Sequence, residues 1–191
     1  MDSRFAQAKD IEAPLPINGG PTFAFSHRLK RVIWRVTWAI LAAWTPPPWM
    51  PFRRLVLTAF GARIHPTAMV RGGARIWWPG HLSMGAHASI GPDVICYNVA
   101  PVSLGDGAIV SQRAHLCAAG HDVDDPEFPL RPNPITIGEG AWIAAEAYVG
   151  PGVSVGAGAV LGARGVAVTK LDPWTIYGGN PARAIRKRGI A

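Results

Sequence analysis

The chain has 191 residues, 49% of them hydrophobic and 16% charged, with 22 glycines and 18 prolines. That mixture excludes an intrinsically disordered chain, which needs low hydrophobicity and high charge, and it fits one tightly wound domain with appended ends. The net charge of +7 is uneven: residues 1–60 carry eight Lys or Arg against three acids, 61–180 seven against nine, and 181–191 four against none.

Residues 1–25 read as an extended arm, because Pro14, Pro16, Gly19, Gly20 and Pro21 interrupt any periodicity. No secretory signal pattern is visible there. Residues 26–60 read as a helical segment. Ser26 is a candidate cap, Leu29, Val32, Ile33, Val36 and Ile40 mark one face, and Pro46, Pro47 and Pro48 stop the helix. A helix packed on the following domain as its end cap is the first expectation. Arg28, Lys30, Arg31 and Arg35 beside Trp34, Trp38 and Trp44 also suit an interfacial helix, though the apolar run is too short to span a membrane. Pro51 to Gly61 predicts a second short helix.

A six-residue repeat follows. Ile64, Val70, Ile76 and Leu82 keep one frame; a two-residue step shifts it to Met84, Ile90, Cys96 and Val102, and another to Leu104, Val110 and Leu116. The frame returns at Ile137, Ile143, Val149, Val155, Leu161 and Ala167, with Gly or Ala beside most of these residues. A period of six fits neither a helix nor simple strand alternation; it predicts a hexapeptide β-helix, a triangular coil with the aliphatic residues inside and small residues at the corners. The phrases Leu82-Ser83-Met84-Gly85, Val102-Ser103-Leu104-Gly105 and Ile135-Thr136-Ile137-Gly138 read as one corner repeated in successive coils. Residues 118–134 break the frame and should loop out, where function often sits. Residues 173–191 leave the coil and end in a basic tail.

Cys96 and Cys117 are too few for a disulfide framework, so a reduced, cytoplasmic setting is expected. No nucleic-acid motif accompanies the basic ends, and nucleic acid is not expected as a partner. A non-catalytic scaffold docking at a membrane surface is a separate reading, supported by the Trp/Arg helix.

Three phrases carry a family resemblance: Gly120-His121-Asp122, the hexad Gly140-Ala141-Trp142-Ile143, and Val168-Thr169-Lys170 followed by Gly179-Asn180-Pro181-Ala182-Arg183. Over residues 61–188 the chain resembles the hexapeptide-repeat acyltransferases. Cys96-Tyr97-Asn98, Ser111-Gln112 and Phe128-Pro129-Leu130 make it look most like the colanic-acid-biosynthesis acetyltransferases. The resemblance implies an all-β solenoid: a left-handed parallel β-helix over residues 61–172, with an N-terminal helical segment and a short C-terminal helical tail. It implies a homotrimer that uses acetyl-CoA to O-acetylate a sugar or oligosaccharide acceptor, which could be lipid-linked and so bring the enzyme into peripheral contact with the inner membrane face.

By the same resemblance His121 is the general base, a role that suits an imidazole, and the backbone N–H of Ala145 holds the oxyanion. The family's usual Gly is Ala144 here. Trp142, Ala163, Thr169, Lys170, Arg183 and Arg186 would line the CoA, with Lys187 and Arg188 adding to the field around its phosphates. Asn98 would hold the acceptor, and Asp122 would bind the acceptor or orient the imidazole. The pairs His81/His87 and His115/His121 invite comparison with the zinc site of γ-class carbonic anhydrases. Their six-residue separation repeats a position of the coil and differs from that class's ligand spacing, and no metal is expected.

Overall fold

The computed structural model describes residues 23–189, so most of the proline-rich arm lies outside the described residues. Two helices, α1 (Phe25–Leu41) and α2 (Met50–Ala59), precede a parallel β-solenoid of triangular section. Its first face stacks Arg63–Ile64, Leu82–Met84, Val102–Leu104, Ile135–Ile137 and Ser154–Val155. The second stacks Met69–Val70, Ser89–Ile90, Ile109–Val110, Trp142–Ile143, Val160–Leu161, Thr175–Gly178 and Arg183–Lys187. The third stacks Arg75–Ile76, Ile95–Tyr97, His115–Cys117, Tyr148–Val149 and Val166–Ala167.

The hexad frame is the inside of this prism. Every aliphatic position predicted to point inward is buried, from Ile64 and Val70 through Leu161 and Ala167. The two-residue steps need a correction. The phrases Leu82-Ser83-Met84, Val102-Ser103-Leu104 and Ile135-Thr136-Ile137 do stack, but as three-residue strands on the flat first face rather than at a corner. Because strand side chains alternate, both Leu82 and Met84 point inward, and two residues are added without losing register. Residues one coil apart are therefore 20 apart in the early coils, as Trp78 and Asn98 are, and 18 apart later, as Glu146 and Arg164 are.

Corners turn by a recurring device. Gly138 accepts the N–H of Ala141 at 3.2 Å, Ala144 that of Ala147 at 3.2 Å and Gly162 that of Gly165 at 2.9 Å, while the third residue of each turn has positive φ (Gly140 61°, Glu146 60°, Arg164 57°). This is a type II turn, which takes proline at its second position, where Pro92 and Pro151 stand. At Gly138 the first residue is glycine because the next coil lies directly above: a Cβ there would stand 2.6 Å from the Ala157 nitrogen.

Helix α1 packs on the first coils through Trp34 and Trp38, whose indole N–H groups donate to the carbonyls of Ile76 (2.8 Å) and Ala74 (3.0 Å). The predicted aliphatic face, Leu29, Val32, Ile33, Val36 and Ile40, is instead exposed. Indoles win the coil side because that edge offers unpaired carbonyls, which an aliphatic face would leave unsatisfied. The helix begins at Phe25 with Ala24 at its cap, so Ser26 lies inside the first turn. Arg53 of α2 is fully buried and donates to the carbonyls of Val70 (2.9 Å), Thr45 (2.9 Å), Pro46 (2.9 Å) and Pro47 (3.1 Å), closing the N-terminal end.

At the other end the expected helical tail is a β-hairpin. Thr175–Gly178 adds in parallel to Val160–Leu161, and Arg183–Lys187 returns antiparallel along it. The last coil presents an open strand edge, and the β-branched and aromatic Thr175, Ile176 and Tyr177 are better suited to cover it as a strand than to form a helix. Trp174 lies against Gly158, where a Cβ would meet its ring.

Coil-on-coil crowding makes a direct prediction. Gly138→Ala should cost on the order of 1–3 kcal/mol through overpacking, more than Gly140→Ala, which meets nothing within 4 Å and carries only the positive-φ penalty of about 1 kcal/mol. Chemical denaturation of both variants measures this, and equal losses would show that corner spacing is not what demands the glycine.

Candidate active site

The loop predicted at residues 118–134 leaves the solenoid between the third and first faces and folds as an antiparallel hairpin, Ala119–His121 against Leu130–Pro132. Asn133 N–H returns to the Ala118 carbonyl at 2.9 Å and closes its base. Arg131 pairs with Asp122 at 3.2 Å and lies 3.9 Å from Asp125. These ion pairs are exposed and contribute little individually, about 0–1 kcal/mol.

His121 stands exposed at the end of the outgoing strand. Its Nδ1 lies 2.8 Å from the carbonyl oxygen of Phe128, and its ring stacks on the Phe128 ring with centroids 4.4 Å apart and planes 9° off parallel. A carbonyl only accepts, so Nδ1 carries a hydrogen, and in the neutral ring the lone pair is then on Nε2. Asp122 therefore braces the hairpin through Arg131, and the group that orients the imidazole is the backbone of Phe128. The sequence reading missed this role, although it had singled out the phrase Phe128-Pro129-Leu130. Phe128 has φ 48°, an uncommon conformation for a bulky residue, held by its N–H to Asp125 O at 2.8 Å.

Ala145 occupies the second position of the turn between the second and third faces. Its neighbours in the turn are committed: Ala144 N–H donates to Leu161 O (2.9 Å), Glu146 N–H to Gln112 O (3.1 Å) and Ala147 N–H to Ala144 O (3.2 Å). The Ala145 N–H has no acceptor among the described residues, which leaves a fixed donor available. His121 and Ala145 sit at different corners of one prism, with the third face between them.

Trp142, exposed on the second face, donates its indole N–H to Ser111 Oγ at 2.9 Å. Ala163 is exposed at the corner one coil above Ala145, where the Arg164 N–H meets the Ala145 carbonyl at 3.0 Å. Thr169 and Lys170 are exposed beyond the third face. Arg183 and Arg186 are exposed on the edge strand of the same sheet that holds Trp142, three strand spacings away, or roughly 14 Å. Lys187 and Arg188 are tied to the coil instead: Lys187 donates to Thr175 Oγ1 at 3.0 Å, and Arg188 to the carbonyls of Gly140 (3.0 Å) and Gly158 (2.9 Å).

Asn98 is fully buried. Its Oδ1 accepts the Trp78 N–H at 3.1 Å and its Nδ2 donates to the Trp78 carbonyl at 2.7 Å, so its amide extends the ladder between two coils rather than facing an acceptor. The paired histidines do not repeat one position: His115 lies on the flat third face, edge-on to Tyr148, whereas His121 is on the hairpin.

Beside the hairpin base, hydrogen bonding from His115 holds the half-buried Cys117 thiol below its ordinary pKa, opposed by desolvation and helped by Tyr148. Burial pushes the Cys96 thiol up to about 12. A thiol-reactive disulfide probe should therefore label a single thiol in the native chain, with Cys117→Ser abolishing the reaction. Labelling of both cysteines at similar rates would mean that the prism opens in solution.

Comparison with known proteins agrees with this geometry. Residues 134–166 match the family model of bacterial transferase hexapeptide (six repeats). A protein of Escherichia coli (strain K12), provisionally named the colanic acid biosynthesis acetyltransferase WcaF, is 34% identical over 166 residues, covering 87% of this chain and 91% of the relative. The solenoid also overlays a maltose O-acetyltransferase from Clostridium difficile 630, with TM-score 0.77 and 22% identity over 87% of this chain and 90% of that one. A hexapeptide-repeat acetyltransferase from Vibrio cholerae, VCA0836, solved with acetyl coenzyme A, gives TM-score 0.69 at 22% identity, covering 87% and 91%.

Proposed function

Because the chain belongs to the hexapeptide-repeat acetyltransferases, we propose that it transfers the acetyl group of acetyl-CoA to a sugar hydroxyl, in the assembly of a surface polysaccharide related to colanic acid. The observation that carries this reading is the imidazole of His121, with Nδ1–H committed to Phe128 O and a free Nε2. Nε2 takes the proton of the acceptor hydroxyl as its oxygen attacks the thioester carbonyl carbon. Negative charge gathers on the carbonyl oxygen, where the Ala145 N–H donates to it. The C–S bond then breaks, the His121 proton passes to the departing thiolate, and an acetyl ester and free CoA result.

On the donor side, Trp142 and Ala163 mark the start of a track that ends at Arg183 and Arg186, two exposed guanidinium groups suited to phosphate. Thr169 and Lys170 would flank the same track. Asn98 is withdrawn from the acceptor side by its burial.

Since one chain holds His121 and Ala145 at different corners, a homotrimer supports the reaction best, each site joining the hairpin of one copy to the Ala145 corner of its neighbour. A lipid-linked acceptor would place the enzyme in the cytoplasm, in peripheral contact with the inner membrane face.

Release of CoA thiol from acetyl-CoA, with a panel of sugars and nucleotide sugars as acceptors, tests the reading. His121→Ala should lower acceptor-dependent turnover by roughly 10²–10⁴-fold with the fold intact; unchanged turnover would remove His121 as base. Ala145→Pro deletes one N–H at a turn position that already accepts proline at Pro92 and Pro151, and should lose roughly 10²–10³-fold. Mixing the two inactive variants under subunit exchange should restore about a quarter of wild-type turnover if neighbouring copies share each site, and none if one chain supplies both groups. Arg183→Ala with Arg186→Ala should raise KM for acetyl-CoA and leave kcat near its original value.

A further inference from the structure

Between α1 and the third face lies a cavity of about 410 Å³ that the acetyl-transfer reading does not use. Arg31 and Arg35 of α1 and Arg75 of the first coil line it, over the rings of Trp77 and Tyr97, and no carboxylate is among the lining residues. The guanidinium of Arg31 lies 3.9 Å above the Trp77 ring, and its Nε is buried without a hydrogen-bond partner. Burial lowers the Arg31 pKa, opposed by Tyr97 and reinforced by Arg35. The residue remains a cation, held in a desolvated place and lacking a counter-charge among the described residues.

The cavity opens onto the unpacked side of the helix. Arg35 also borders a shallow hollow with Val32, Val36 and Ala39, and the row continues through Leu29, Ile33 and Ile40, each at least half exposed. Trp44 at the helix end is 68% exposed, Arg28 and Lys30 flank the row, and α1 contains no acid. Three arginines lacking acid partners among the described residues, beside an exposed aliphatic row, match a ligand with a phosphate at one end and hydrocarbon at the other. No helix of the described residues is long and apolar enough to cross a bilayer, so such a ligand would be met at its surface.

We propose that this cavity takes the phosphate headgroup of an anionic membrane lipid, with α1 lying in the bilayer interface and its aliphatic row among the acyl chains. The site deepens the peripheral placement proposed above and does not depend on the chemistry at His121. The two can fail separately, because acetyl transfer to a soluble acceptor is measured without vesicles.

The full chain would be sedimented with vesicles of phosphatidylcholine alone and of phosphatidylcholine with phosphatidylglycerol, while the difference in tryptophan emission between the native chain and Trp44→Phe reports on Trp44. Binding to the anionic vesicles with a blue shift, and little binding to the neutral ones, is expected. Each of Arg31→Gln, Arg35→Gln and Arg75→Gln should weaken binding about five-fold, and Val32→Asp with Val36→Asp should abolish it. Arg35, which has no hydrogen-bond partner among the described residues, serves as the decisive single variant should Arg31→Gln fail to fold. Four outcomes would overturn the proposal, the first three being no binding to anionic vesicles, binding indifferent to the arginine variants, and saturable binding of inorganic phosphate without vesicle binding. A change of oligomer mass in Val32→Asp/Val36→Asp without vesicles would assign the row to a protein interface and would also overturn it.

Discussion

Everything in this molecule answers to one constraint, the backbone hydrogen bonds between coils stacked roughly 4.8 Å apart. Gly105, Gly138 and Gly156 each donate to a residue in the next coil, Ile137, Val155 and Leu171, at 2.8 Å. That spacing leaves no room for a side chain at some of the bends, because a Cβ on Gly105 would stand 2.7 Å from the Glu139 nitrogen. Inside, each coil adds one layer of aliphatic side chains, so the same repetition that satisfies the backbone also fills the core.

A stack of parallel strands has two open ends, and the ends explain much of what does not repeat. At the start, coil carbonyls with no coil beneath them are met by the indoles of Trp34 and Trp38 and by Arg53, which donates to Val70 and to the carbonyls of Thr45, Pro46 and Pro47 between the two helices. At the finish, the hairpin built on Thr175–Gly178 covers the last strand, and Arg188 donates to the carbonyls of two successive corners. Some of the basic residues at either end are therefore capping groups for the backbone, whereas the guanidinium groups of Arg183 and of the arginines lining the cavity beneath α1 make no hydrogen bond among the described residues.

The hairpin of residues 118–134 is where the chain escapes the stacking rule. A residue on a flat face has its outward side chain fixed by the coil period. His121 is instead set by a local hairpin, with its ring clamped on Phe128 and its Nδ1 held by that residue's carbonyl. The left-handed backbone of Phe128 supplies this arrangement at some conformational cost, offset by the hairpin around it.

What the sequence determined by itself is whatever repeats. A six-residue period over many steps leaves only one interior, so Ile64 through Ala167 could be assigned to the core, and the break at 118–134 could be assigned to an excursion bearing His121. Tertiary structure decided the things that depend on which partner is nearest. The aliphatic stripe of α1 looked like the packed face, yet open carbonyls at the coil edge drew the indoles inward. Asn98 looked like an acceptor contact, yet the neighbouring coil brought the Trp78 peptide within reach of its amide. Asp122 stood next to His121 in the chain, yet the hairpin placed the Phe128 carbonyl on Nδ1. The tail's basic composition was plain, but its strand form required the exposed edge of Val160–Leu161. Periodicity is a local property of a chain and can be read along it, whereas the partner of an unpaired donor or acceptor is fixed only once the coils are stacked.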